Sequence, residues 1–258
     1  MRKYYREVMY KCGDYLESNI YPVFSTPKPG KRQKKAKPTT EVQKKLNGHN
    51  AARKLTRLAN TNFTRKDIRF DLTYSPENEP SSPEDAQRLL QNFLRRVKYF
   101  RQKNNIPDLK YIAVTEVGTK SGRLHHHIIM NGEVSITDLA EIWGLGYTTA
   151  KPLQFDNFGI QDLAAYLVKF PILNKRWNAS KNLIQPDMSE RNGKLSARKV
   201  RELFCMGNDA GREFEKLYPD FHFAGVKPFF NDYNGDFYLS VKMYKKRPDR
   251  KRQKGRNT

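Results

Sequence analysis

The chain has 258 residues, 49 of them lysine or arginine and 27 aspartate or glutamate, for a formal charge of +22. No run of about eighteen apolar residues offers a membrane span, and the first residues lack the apolar core of a signal peptide. The two cysteines, Cys12 and Cys205, exclude a disulfide scaffold and a cysteine-rich zinc module, so a soluble cytoplasmic protein is expected.

The charge is unevenly placed. Residues 1–66 hold 17 basic and 4 acidic side chains, residues 67–190 hold 15 of each, and residues 191–258 hold 17 and 8. This pattern predicts a compact central domain over 67–190. A basic N-terminal extension, 1–66, and a basic C-terminal one, 191–258, would flank it and attract a polyanion.

Residues 25–40, STPKPGKRQKKAKPTT, read as a flexible linker. Thr40 then caps a helix with Val42, Leu46, Leu55 and Leu58 at helical intervals and Lys44, Lys45, Arg53, Lys54 and Arg57 on its other faces. That helix fits either packing on the core or contact with nucleic acid. DIRFDLTYS alternates Ile68, Phe70 and Leu72 with polar neighbours and reads as a strand. Ser82 and Pro83 open a helix whose stripe is Ala86, Leu89, Leu90, Phe93, Leu94 and Val97. LKYIAVTEVG (109–118) and GRLHHHIIMNG (122–132) form an antiparallel hairpin about a short turn between Gly118 and Gly122.

A short helix near Ser135–Ile142 and a strand in WGLGYTTAKPLQF follow. GIQDLAAYLVKF (159–170) is a helix stopped by Pro171. Beyond it, one helix is expected around Ser196–Met206 and one strand in DFYLSVKMY, before a disordered tail, 245–258. The order of elements gives an α+β fold, one antiparallel sheet with helices on one face.

Three of the five histidines stand together as His125, His126 and His127. Strand alternation puts His125 and His127 on one face and His126 on the other. The triplet alone is either a surface run or a pair of metal ligands. The hairpin register brings Glu116 near it, at a position where an apolar side chain is expected. Glu116 would either pair with Arg123 or Lys120 or complete a metal site, because an unpaired buried carboxylate costs several kcal/mol. Tyr166 lies with Asp162 and Lys169 beside the buried stripe of Ile160, Leu163, Ala164 and Leu167, as a structural edge residue or as a hydroxyl offered to the sheet.

In order, DLTYS, TEVG…GRLHHHIIMNG and DLAAYLVK resemble the three motifs of HUH endonucleases, the replication initiators and relaxases of rolling-circle elements. The resemblance spans about residues 67–170 and is nearest to replication proteins of phages and plasmids. It implies a ferredoxin-like HUH fold for a catalytic domain at 67–190. It also implies His125 and His127 as metal ligands with Glu116, Mg2+ or Mn2+ as cofactor, and Tyr166 as the nucleophile with Lys169 beside it. Phe170 stands where some initiators carry a second tyrosine, so a single-tyrosine enzyme is implied.

The implied activity is nicking and joining of single-stranded DNA at an origin through a 5′-phosphotyrosine. The implied partners are single-stranded DNA or an origin hairpin, and host replication machinery. Arg123, Lys120, Tyr147 and Lys151 are the expected DNA contacts, with Tyr147 and Trp143 as candidates for base stacking and core packing the alternative for Trp143. The competing reading is an RNA-recognition-type module that binds single strands without catalysis. No Walker-type phosphate loop signals a fused helicase.

Overall fold

The computed structural model describes residues 3–24, 40–118, 122–156, 159–167 and 176–246. Its strands are β1 (Lys3–Cys12), β2 (Tyr15–Phe24), β3 (Ile68–Thr73), β4 (Tyr111–Val117), β5 (Leu124–Met130), β6 (Thr148–Pro152), β7 (Asn178–Ala179), β8 (Asp187–Asn192), β9 (Phe221–Asn231) and β10 (Asp236–Lys245). Its helices are α1 (Glu41–Asn62), α2 (Pro83–Lys103), α3 (Ile136–Trp143), α4 (Gln161–Leu167), α5 (Ala197–Met206) and α6 (Gly211–Leu217). The fold is α+β with two antiparallel sheets. None of the described helices is long and apolar enough to cross a membrane.

The chain divides into two compact units, residues 29–187 and residues 1–28 with 188–258. The boundaries expected from charge fell at 66 and 190. Charge reports where lysine and arginine sit, whereas the division follows strand pairing.

In the unit of 29–187 the sheet order is β6-β3-β5-β4-β7. Ser82 Oγ accepts from Asp85 N at 3.1 Å and starts α2. The buried stripe of α2, with that of α3, packs on Phe70, Leu72, Ala113, Ile128 and Met130. The opposite face is covered too. Leu55, Leu58 and Ala59 of α1 and Ala164 and Leu167 of α4 cluster with Ile112, Val114 and Ile129. Helices therefore flank both faces, not one as expected. The reason is visible in β4 and β5, where YIAV and HIIM are continuous apolar runs, the mark of a strand buried on both sides. In α1 the N-terminal half stays exposed at Val42 and Leu46, and only the C-terminal half joins the core.

The WGLGY segment is held against the end of β3. Thr73 N donates to Tyr147 O and Ser75 N to Leu145 O, both at 2.9 Å. Gly146, at φ +153°, permits this approach, since a Cβ there would lie 2.4 Å from Ser75 N.

The second unit has sheet order β8-β1-β2-β10-β9. Tyr5, Met9, Leu16, Ile20, Leu239, Val241 and Met243 form one core with Val200 and Leu203 of α5 and Phe214 of α6. The segment read as a basic extension thus begins with a ten-by-ten-residue hairpin closed by Gly13 and Asp14, Gly13 having φ +61°. A two-residue Gly-Asp loop between aromatic-rich runs is a hairpin signal. Charges at Lys3, Arg6, Glu7 and Lys11 obscured it. Strands β8 and β9 were likewise unanticipated. The expected linker falls on residues 25–39, outside the described residues, and so does the expected tail from residue 247; Lys245 and Lys246 are described, Lys245 ending β10.

Candidate functional site

The register of the first sheet decides which polar side chains meet. Thr73, His125 and Glu116 lie opposite one another across β3, β5 and β4, as do Asp71, His127 and Val114 one pleat further on. Directly opposed residues share a face, so Asp71, Glu116, His125 and His127 converge on the side toward α4. The ligand atoms of Glu116, His125 and His127 lie within 4.8 Å of one another. Glu116 Oε1 is 2.9 Å from His125 Nε2 and 2.8 Å from His127 Nε2.

The outer nitrogens fix the tautomers. His127 Nδ1 donates to Asp71 Oδ1 at 2.6 Å, and His125 Nδ1 faces the Arg123 carbonyl at 3.3 Å. Arg69 Nη2 also stands 3.1 Å from His127 Nδ1. That nitrogen cannot both give a proton to Asp71 and accept one from Arg69. The shorter contact to a carboxylate assigns it as donor. Both Nε2 lone pairs then point at a carboxylate oxygen, an arrangement of three acceptors that only a proton or a cation relieves. Two imidazoles and one carboxylate, with a further carboxylate behind one imidazole, suit a divalent first-row ion with open positions.

The electrostatics agree. Burial would raise the Glu116 pKa, but hydrogen bonds from His125 and His127 outweigh it and hold the carboxyl well below its ordinary range. Asp71 is likewise held down, as contacts with His127 and Arg69 overcome burial. Burial would lower His127, yet Asp71 and Glu116 push it upward.

Tyr166 projects from α4, whose Ala164 and Leu167 anchor it in the core. The residue is 44% exposed. Its hydroxyl donates to Glu116 Oε1 at 3.0 Å and lies 3.5 Å from His127 Nε2. Burial, then the hydrogen bond and charge of Glu116, raise the phenol pKa, while the Arg69 charge opposes them. Arg69 reaches this ring directly, its guanidinium carbon 5.4 Å from the centroid and its Nε 2.8 Å from Asp71 Oδ1.

His126 faces the other way. It is fully buried, with Nε2 2.6 Å from Tyr74 Oη and Nδ1 2.9 Å from Thr115 Oγ1. Burial, aided by the charges of His125 and His127, lowers its pKa to about 3.

Among the expected DNA contacts, Tyr147 is exposed, and Lys151 is exposed on β6 opposite Arg69, hence on the site face. Arg123 is engaged with Glu79 and with the Tyr74 carbonyl, which leaves Glu116 to the histidines. Lys120, Lys169 and Phe170 lie outside the described residues. Trp143 is a core residue whose Nε1 donates to Thr73 O at 2.9 Å. Sequence reasoning missed Asp71 and Arg69. Alternation put them opposite Phe70 and Leu72, and a polar face on an amphipathic strand reads as solvated until a second helix layer is known to cover it.

No curated protein and no solved structure matches the chain. Residues 68–171, the stretch that holds Asp71, Glu116, His125, His127 and Tyr166, match the family model of the replication-associated protein ORF2, which supports a replication initiator of the Rep type.

Proposed function

We propose that the protein nicks and rejoins single-stranded DNA at a replication origin through a covalent 5′-phosphotyrosine on Tyr166, in a reaction that needs Mg2+ or Mn2+ and starts rolling-circle replication. The observation that carries this reading is the Tyr166 hydroxyl 3.0 Å from the Glu116 oxygen that both histidines face. A nucleophile and a cation-binding cluster within one hydrogen bond of each other are the parts that phosphoryl transfer requires.

Glu116, His125 and His127 would hold the ion, and Asp71 would keep His127 in the tautomer that ligates. The ion supplies charge stabilisation at a phosphate oxygen and lowers the cost of forming phenolate. Tyr166 Oη forms the new bond to phosphorus as the bond from phosphorus to O3′ breaks. The phenolic proton passes to solvent, and the departing 3′ oxygen takes one up. One phosphodiester replaces another, so the reverse attack by a 3′-hydroxyl reseals the strand without ATP. Lys169 would assist the phenolate, and Arg123, Lys120, Tyr147 and Lys151 would contact the strand. An RNA-recognition-type module is disfavoured because the central strands carry Arg69, Asp71, Glu116, His125 and His127 where stacking rings would be needed.

The test is incubation with a single-stranded oligonucleotide library and Mn2+, then mass mapping of DNA-linked peptides. The adduct is expected on the peptide holding Tyr166 and should vanish in Tyr166→Phe while DNA binding persists. An adduct surviving that substitution refutes the assignment.

A further inference from the structure

The second sheet has one face in the core with α5 and α6, and its other face carries aromatic rings at one end. Alternation from the buried Tyr5, Ile20 and Leu239 puts Tyr4, Arg6, Tyr21 and Tyr238 on that outer face. Arg6 sits opposite Tyr21, and its Nη2 donates to Tyr4 Oη at 3.1 Å. Phe229 sits opposite Tyr238, with ring centroids 5.8 Å apart. Tyr4, Tyr21 and Tyr238 are half-buried, whereas Phe229 is 58% exposed. Lys227, opposite Ser240, adds an exposed cation to the same face.

From this arrangement we propose that the outer face of the β1-β2-β10-β9 sheet is a stacking platform for single-stranded DNA. Rings on neighbouring strands stand about 5 Å apart in the hydrogen-bonding direction, close enough for successive unpaired bases to find successive faces. A half-exposed phenylalanine in mid-strand would be a liability on an idle surface. Beside tyrosines and cations it supplies the apolar π-face that a base needs, while Lys227 and Arg6 supply positive charge for the phosphates. Arg6 is also bound to Glu190 at 3.0 Å and to Asn192 at 2.9 Å, which fixes its guanidinium between Tyr4 and Tyr21. Stacking reads no particular base, so the platform supplies affinity and leaves the choice of cutting site elsewhere. The choice of DNA as ligand rests on the nicking reading above; the face itself belongs to the other unit.

The experiment uses the full chain and a fluorescent oligothymidylate, read by anisotropy over a salt series. Phe229→Leu with Tyr238→Leu keeps apolar bulk and removes two π-faces. Affinity is expected to fall at least about tenfold with the salt slope unchanged. Phe229→Trp should retain full affinity, and Lys227→Ala should reduce the salt slope by about one. Wild-type affinity in the double leucine variant overturns the platform, as does an equal loss for duplex DNA. A lowered melting temperature in the double variant passes the decision to Phe229→Leu alone, an exposed position whose affinity must then fall.

Adduct formation at saturating DNA separates the two proposals. A normal Tyr166 adduct with unchanged binding in the leucine variants sinks only the platform. Lost binding in those variants, with no adduct in the wild type, sinks only the nicking reading.

Discussion

His126 and its neighbours His125 and His127 are the same side chain on the same strand, yet the two faces of β5 treat them oppositely. On the α2 side, His126 is sealed among Tyr74, Thr115 and Trp143 and is held neutral. On the α4 side, the outer pair shares one oxygen of Glu116, and His127 leans on Asp71. One face uses an imidazole to join β4 to the chain just past β3. The other gathers imidazoles at a half-open edge where an ion and a phosphate can enter. Residue type therefore says little about role; the partner set, fixed by register, says most.

The strongest way to break the comparison is to remove one member of the outer pair. His127→Ala should cut metal-dependent adduct formation by about 10²–10³-fold, the scale of losing a group that positions transition-state charge. Mn2+ should raise the melting temperature of the wild type by several degrees, because an ion bound only by the folded chain stabilises it by mass action. In His127→Ala the increment should be gone. An unchanged increment would move the ion away from this cluster.

Asp71 sharpens the same contrast with a smaller effect. Asp71→Asn keeps the shape and removes the charge behind His127 Nδ1. Loss of such a supporting carboxylate costs about 10–100-fold in metal affinity. Titration calorimetry with Mn2+ should show that loss, while binding of oligonucleotide without metal stays near wild type. Equal affinity in both proteins would make the 2.6 Å contact incidental.

How much of this was legible beforehand follows from range along the chain. His125, His127 and Glu116 belong to one hairpin with a short turn, so alternation and local register suffice to bring them together. Tyr166 needed the motif order, since nothing local says that α4 packs over that face. Asp71 and Arg69 depend on the pairing of β3 with β5, more than fifty residues apart, and no local pattern sets it. The second sheet was lost for a related reason. Its halves come from opposite ends of the sequence, joined by the β2–β10 pairing of Ile20 with Leu239. A reading that takes each flank as a separate arm cannot see a sheet made of both.

The smallest effect tests the inner face. His126→Leu should leave Mn2+ affinity intact and lower stability at neutral pH by about 1–2 kcal/mol, because the Tyr74 and Thr115 hydroxyls lose their buried partner. The gap should also depend on pH with a definite sign. His126 has its folded pKa lowered from 6.5 to about 3, so the unfolded chain binds its proton first. Its contribution is complete above 6.5 and drains away as the pH falls toward 3. His127, raised above 6.5, works in the opposite sense: its contribution is complete below 6.5 and is lost as the pH rises through the folded value. Both proteins keep His127, Asp71 and Glu116, so subtracting one urea-melt series from the other isolates His126. The wild-type advantage should shrink steadily from pH 7 to pH 5. A constant difference would mean that His126 takes up a proton in the folded protein as readily as in the unfolded one, and the inner face would then be no drier than the outer.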